Sequence, residues 1–237
     1  MQARSGSTRL PGKVLEDVEG RPLLAHVIAR LQRCRRLDRI VVATSDRPGD
    51  DPVEAVSLEA GVAAFRGSEH DVLSRYLGAA RAHDAGVIVR ITSDCPLIDP
   101  ATVDRVVDAL CDDAASVDYA SNVLERRFPR GLDAEAFFRD TLERTARRAT
   151  SPAAREHVTH YIVAERPDLF SLRSVGDADD HSDLRWTVDE ADDLEMVRRL
   201  YRDLNLATQA VPYADIVAYV RTHPEIARMN AHVTQKA

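Results

Sequence analysis

Cysteine is scarce in this chain and does not pair: Cys34, Cys95 and Cys111 are an odd number in 237 residues, with no C-x-x-C spacing. That excludes a disulfide framework and a cysteine-built zinc site and fits a reducing compartment. No stretch approaches the roughly 18 uninterrupted apolar residues of a membrane span, and the N-terminal stretch carries no apolar signal-peptide core. The reading is a cytoplasmic protein. An excess of positive charge is also missing, since 32 Lys and Arg face 39 Asp and Glu for a formal charge of -7. No global field therefore draws in nucleic acid or an anionic membrane, and any anion must be bound locally. Repeats, low-complexity tracts and Pro/Gly/Ser linkers are absent, so one domain is expected over residues 1–237.

What is present is an alternation of short β-branched runs with segments of helical period. "RPLLAHVIARLQRC" puts Leu23, Leu24, Val27, Ile28 and Leu31 on one stripe, and "RIVVATS" follows as a buried strand. A helix over 50–61, the strand "VAAFRGS", a helix over 69–84 and the strand "VIVRITSD" repeat the pattern. Such alternation predicts a mostly parallel sheet with helices on both faces. From Asp118 the rhythm changes. "DYASNV", "GLDAEAFF" and "LFSLRSVG" read as strands separated by a polar loop and by a helix starting at Ser151-Pro152, which marks residues 118–175 as an insertion. "LRWTVDE" reads as a short strand before a helix over 190–204, and a last helix runs from Pro212 onward.

Ligands in open α/β sheets sit at the carboxyl ends of strands, and three features fall there. The opening "MQARSGSTRLPGKVL" combines Gly6, Ser7 and Thr8 with Arg4, Arg9 and Lys13, a set that would satisfy a triphosphate. It matches neither G-x-x-x-x-G-K-[ST] nor G-x-G-x-x-G, and a solvated basic tail explains it equally well. "VRITSDCPLIDP" ends a strand in Ser93 and Asp94, while Asp99-Pro100 caps the next helix. Asp94 is thus placed to hold a hard divalent cation with a phosphate. "LRWTVDEADDL" ends in Asp189, which with Asp192 would cap the following helix, serve as a second metal ligand, or both. Two strand-end carboxylates beside a basic loop point to magnesium-assisted nucleotidyl transfer. The His157/His160 pair lacks a third ligand and reads as a polar helix face.

Six stretches in order, "QARSGSTRLPGKVL", "FRGSEHDVLSRY", "RITSDCPLIDP", "FPRGLDAEAF", "REHVTHYI" and "RWTVDEADDL", resemble the signatures of cytidylyltransferases related to spore coat polysaccharide biosynthesis protein F. That family is similar in turn to the sialic acid and 3-deoxy-manno-octulosonate cytidylyltransferases. The resemblance implies a Rossmann-like nucleotidyltransferase of glycosyltransferase-A type, a three-layer α/β sandwich with an inserted acceptor and dimerisation region and a homodimeric assembly. It implies transfer of CMP from CTP to an acidic acceptor (an acidic sugar, a polysaccharide precursor or a phosphonate), with Mg2+. Carried across by position, Arg4 and Lys13 act on the triphosphate, and Ala3, Gly6, Ser7, Arg9, Ser68, Asp71, Arg75 and Ser93 bind nucleotide. A helix cap explains Ser68 at least as well. Asp94 and Asp189 take the metal, and Asn122, Arg130, Asp133, Glu156 and His157 meet the acceptor.

Two departures stand out. Ser93 occupies a position where relatives commonly have glycine. Relatives also place a strand of about six apolar residues before the glutamine of "QAR", where this sequence has only Met1. Loss of a central strand would cost several kcal/mol of a total of about 5 to 15; the expectation is that Met1 is internal to a longer natural chain. Two other functions fit parts of the pattern: a glycosyltransferase using a nucleotide sugar, and a non-catalytic nucleotide-binding protein.

Overall fold

The computed structural model describes residues 1–113 and 115–234; residue 114 and residues 235–237 of the expected domain lie outside the described residues. A two-residue hairpin, β1 (Asp17–Val18) and β2 (Arg21–Pro22), leads into α1 (Leu23–Leu31). β3 (Val41–Ser45), α2 (Asp51–Glu59), β4 (Ala63–Gly67), α3 (Val72–Ala82), β5 (Val87–Arg90) and α4 (Pro100–Cys111) follow in the expected alternation. The inserted region holds β6 (Tyr119–Ser121), β7 (Glu135–Phe138), α5 (Arg139–Arg148), α6 (Pro152–Glu156) and β8 (Leu172–Ser174). α7 (Ala191–Asp203), α8 (Tyr213–Thr222) and α9 (Pro224–Arg228) complete the described chain.

Local chemistry sets several of these boundaries. The Asp99 carboxylate accepts from the Thr102 amide at 2.8 Å and Pro100 opens α4, while Ser151 and Pro152 do the same for α6. Glu190 and Asp193 form a reciprocal capping box on α7, so the cap is not the Asp189/Asp192 pair expected above. Asp189 is unavailable because cations hold its carboxylate. α5 replaces part of the expected polar loop. Its buried face is only Thr141, Leu142 and Thr145, too thin an apolar stripe to be read as a helix.

β3 and β4 pair in parallel, as do β6 and β8, whereas β7 runs antiparallel between β5 and β6. The two halves are joined by residues 1–3. Gln2 bridges Ala43 on one side and Thr92 on the other, both in parallel, giving the order β4, β3, residues 1–3, β5, β7, β6, β8. Alternate residues of β6 and β7 serve different cores: Ala120 and Ala136 pack with α1, α4 and α7, while Tyr119 and Phe137 pack with α3, α5 and α6. Because side chains alternate across a sheet, those cores lie on opposite faces and the sandwich has three layers. "LRWTVDE" is extended but bridges only at Arg130↔Arg185; it is not a strand, because its main chain also turns to residue 94.

Candidate active site

Three main-chain hydrogen bonds seat the start of the opening loop: Gln2 N to Ile91 O at 3.1 Å, Ser93 N to Gln2 O at 3.1 Å, and Ala3 N to Ala43 O at 3.3 Å. Asp50, 3% exposed, anchors the next residue. Its Oδ1 accepts from the Ser5 amide at 2.6 Å and the Ser5 hydroxyl at 2.7 Å, and its Oδ2 accepts from Ser45. Burial alone would raise the Asp50 carboxyl, but these donors outweigh it and hold it below the ordinary range. The loop turns where Gly12 adopts φ 73°, and the Gly12 amide returns to Ser5 O at 2.9 Å. Asp50 and Gly12 were invisible as site residues in the sequence. The signal for the turn was Pro11-Gly12, while Gly6 needs no left-handed backbone.

We expect Asp50→Ala to free the loop, lowering stability by about 1.5–3 kcal/mol. It should raise KM for the nucleotide about tenfold, with kcat less affected. Thermal unfolding and nucleotide titration check this, and an unchanged KM would contradict the anchoring role.

The turn aims Lys13 inward. Its Nζ donates to Asp94 Oδ2 at 2.8 Å, Asp189 Oδ1 at 3.0 Å and the Val188 carbonyl at 2.7 Å, with the side chain 11% exposed. Arg9 Nη2 lies 2.8 Å from the same Asp189 oxygen, and Arg185 Nη2 donates to Asp189 Oδ2 at 2.7 Å. Burial pulls the Lys13 ammonium down, yet Asp94 and Asp189 together leave it raised. Burial likewise pushes the Asp189 carboxyl up, and Lys13, Arg185 and Arg9 hold it down. Lys13 and Asp189 are therefore both ionised near neutrality.

The turn after β5 and the extended segment before α7 converge because the Val188 amide donates to the Asp94 carbonyl at 2.8 Å. Thr92 Oγ1 donates to Asp94 Oδ1 at 2.6 Å, fixing the carboxylate. Behind Asp189, the fully buried Asp193 accepts from Arg185 Nε, from Asn230 Nδ2 and from the Asp189 and Glu190 amides. Thr92, Arg185, Asp193 and Asn230 support the site without having been singled out: the first three fall inside the quoted stretches, and Asn230, outside them, is brought in by tertiary contacts across 37 to 45 residues.

The other expected residues divide. Arg4 reaches Glu156 at 3.5 Å, which brings the inserted region against the opening loop. Arg75 is 2% exposed, donates to the Ser68 carbonyl at 2.7 Å, and is depressed first by burial and also by Arg4 nearby. Ser68 Oγ accepts from the Asp71 amide at 3.0 Å, while Asp71 caps α3 and pairs with Arg155. Ser68 and Asp71 thus do structural work. Asn122 is fully buried, with its amide nitrogen on Leu132 O and its oxygen on the Ala134 amide. Asp133 holds Arg126 through both oxygens at 2.6 and 2.8 Å. Arg130 sits among Arg126, Arg185, Asp133 and Asp189. His157 lies with its ring centroid 6.3 Å from that of His160. Ala3 is buried, Ser93 is 6% exposed, and Ser7 Oγ lies 3.4 Å from the Leu10 amide.

Among the described residues no group of three or more His, Cys, Asp or Glu is gathered for a metal. Asp94 and Asp189 nevertheless converge on one point, the position of the Lys13 ammonium. Two carboxylates around a single cation fit a hard divalent ion whose other ligands are phosphate oxygens and water.

The cytidylyltransferase family model matches residues 1–210. The chain is 31% identical to spore coat polysaccharide biosynthesis protein SpsF of Bacillus subtilis, across 96% of this chain and 95% of that protein. It is 34% identical to 3-deoxy-manno-octulosonate cytidylyltransferase of Anaeromyxobacter dehalogenans, across 73% and 76%. A solved cytidylyltransferase from Leptospira borgpetersenii superposes with a TM-score of 0.91 at 31% identity, covering 100% of this chain and 97% of that one. With the family match spanning Asp94, Asp189 and the basic loop, the chain belongs to the cytidylyltransferase family, CTP-dependent nucleotidyltransferases with a Rossmann-like α/β fold.

Proposed function

We propose that this protein transfers CMP from CTP to an acidic acceptor and releases pyrophosphate. The observation that carries this reading is the meeting of Asp94 and Asp189 on Lys13 Nζ, with Arg9 alongside. Arg9 and Lys13 pair with Asp94 and Asp189. Arg4, Arg9 and Lys13 would take the triphosphate, and Asp94 and Asp189 would hold Mg2+. Magnesium, when bound, offsets phosphate charge and polarises the α-phosphate.

The acceptor oxygen attacks the α-phosphorus opposite the bond to the β-phosphate. As the new P–O bond forms, the old one breaks and its electron pair departs on pyrophosphate. Lys13 as a point charge and Arg4 as a fork stabilise the charge that develops. The inserted region, residues 118–175, presents the acceptor side, with Arg130, Asp133, Glu156 and His157 as its polar contacts and Arg4–Glu156 joining it to the phosphate loop. Asn122 keeps that region's backbone in place. The names of the relatives support an acidic sugar as acceptor. An ionised acceptor oxygen needs no base, whereas a sugar hydroxyl must lose its proton to a metal-bound water or an acidic neighbour, or have its pKa lowered by the metal.

Pyrophosphate release with Mg2+ and a panel of acidic sugars and phosphonates tests the reading. CTP should exceed UTP, ATP and GTP by about a hundredfold with at least one acceptor. Equal rates for the four nucleotides, or turnover of a nucleotide sugar in their place, would overturn it.

A further inference from the structure

The segment from α8 onward returns to the site from behind Asp189. α8 and α9 pack Ile216, Val217, Val220 and Ile226 into the main core, and the turn after α9 sets Asn230, 2% exposed, against the start of α7. Two surface contacts tie the same segment down. Arg221 holds both oxygens of Asp183 at 2.7 Å, and His232 Nε2 lies 3.1 Å from Asp192. Asn230 Nδ2 donates to Asp193 Oδ1 at 2.8 Å and to the Arg185 carbonyl at 3.0 Å. Both partners can only accept, so the nitrogen of the amide and not its oxygen faces them.

Asp193 Oδ1 accepts from Asn230 and Arg185 Nε, while its Oδ2 accepts from Arg185 Nη2 and from the Asp189 and Glu190 amides. Asp189 is thus held twice through Asp193: by its own amide at 2.9 Å, and by the Arg185 guanidinium, whose Nη2 also grips Asp189 Oδ2 at 2.7 Å. Oδ1 is left turned toward Lys13 and Arg9. We propose that Asn230 is a positioning residue for Asp189, acting through Asp193 and Arg185 on the carboxylate that would hold Mg2+. That role rests on the nucleotidyl-transfer reading given above. The position asks for a neutral side chain with two protons to give. A carboxylate there would face Asp193 with a like charge, a serine hydroxyl is shorter and has one proton, and a hydrocarbon leaves Asp193 Oδ1 to Arg185 Nε alone. Once Asp193 can turn, the Arg185 guanidinium and the Asp189 amide move with it.

Asn230→Leu removes the donor and keeps the branching. A cavity of about 240 Å³ bordered by Asn230, Met196, Val220 and Ile226 gives the added methyls room. Metal binding is read by Mn2+ titration under electron paramagnetic resonance, in the Lys13→Met background where no ammonium competes for Asp94 and Asp189. Adding Asn230→Leu should weaken Mn2+ binding about 10- to 100-fold. With Lys13 intact, Asn230→Leu should lower kcat about tenfold or more, while CTP affinity measured without metal changes less than about twofold. Val217→Ala, in the core of the same segment, should lower the melting temperature and leave Mn2+ affinity within about twofold. Unchanged Mn2+ affinity on adding Asn230→Leu, or an equal loss with Val217→Ala, overturns the positioning role and leaves the proposed reaction standing. No Mn2+ binding by Lys13→Met itself would overturn the metal site, and this role with it. If Asn230→Leu does not fold, Asn230→Ser is titrated with the same expectations; failure of both to fold would make Asn230 a structural residue and refute its positioning role.

Discussion

Lys13→Met is expected to lower turnover about 10²- to 10³-fold, the loss typical when a donor aimed at developing charge is removed. The same substitution should tighten divalent-cation binding in the absence of nucleotide, because the ammonium no longer occupies the point where Asp94 and Asp189 meet. A merely structural lysine would weaken both. Calorimetric titration with Mg2+ beside a turnover assay separates these outcomes, and weaker metal binding in the variant would sink the exchange model. Acid titration adds a signed check. The Asp189 carboxyl is held below its ordinary value, so its contribution is present above the unfolded pKa near 3.9 and is lost as pH falls through the lower folded value. Without Lys13 that acid loss should be shallower, since one of the groups holding Asp189 down is gone.

Gly131→Ala is expected to be the most damaging small substitution, costing about 3 kcal/mol or more. Gly131 has φ 107°, and a Cβ there would lie 2.7 Å from Thr187 N and 2.7 Å from Trp186 C. Those atoms are main chain and cannot rotate aside. The flanking bonds, Arg130 N to Leu184 O at 2.9 Å and Trp186 N to Arg130 O at 2.7 Å, tie this turn to the segment that delivers Asp189. Turnover should therefore fall along with stability. Melting about 6–12 °C below the parent chain is the expected result, and a shift under about 2 °C would contradict it. Gly20→Ala is the control: φ is 80°, but nothing lies within 4 Å of its Cβ, so only the backbone strain is felt.

The helices and strands that wear their burial as a period were legible: the α1 stripe, the β3 and β5 runs, and the caps at Asp99 and Ser151 all appear where the residues put them. α5 was hidden because Thr141 and Thr145 bury as polar residues. Within the site, Arg9, Lys13, Asp94 and Asp189 were named from position and charge and come together in space. Asp50 and Asp193 were not, because a buried carboxylate that serves a backbone amide looks like any surface acid until the chain is folded. Asn122, named for the acceptor, is buried with its amide bonded to Leu132 O and the Ala134 amide.

The hydrogen bond from the Val188 amide to the Asp94 carbonyl has a consequence for biosynthesis. Lys13 emerges from the ribosome early, yet its partners sit at 94 and at 188–189, so most of the chain must be made before the ammonium finds both carboxylates. Contacts so distant in sequence form late, after the loop entropy between them has been spent. Until then the Lys13 ammonium lacks its full set of partners, and the nucleotide site is incomplete.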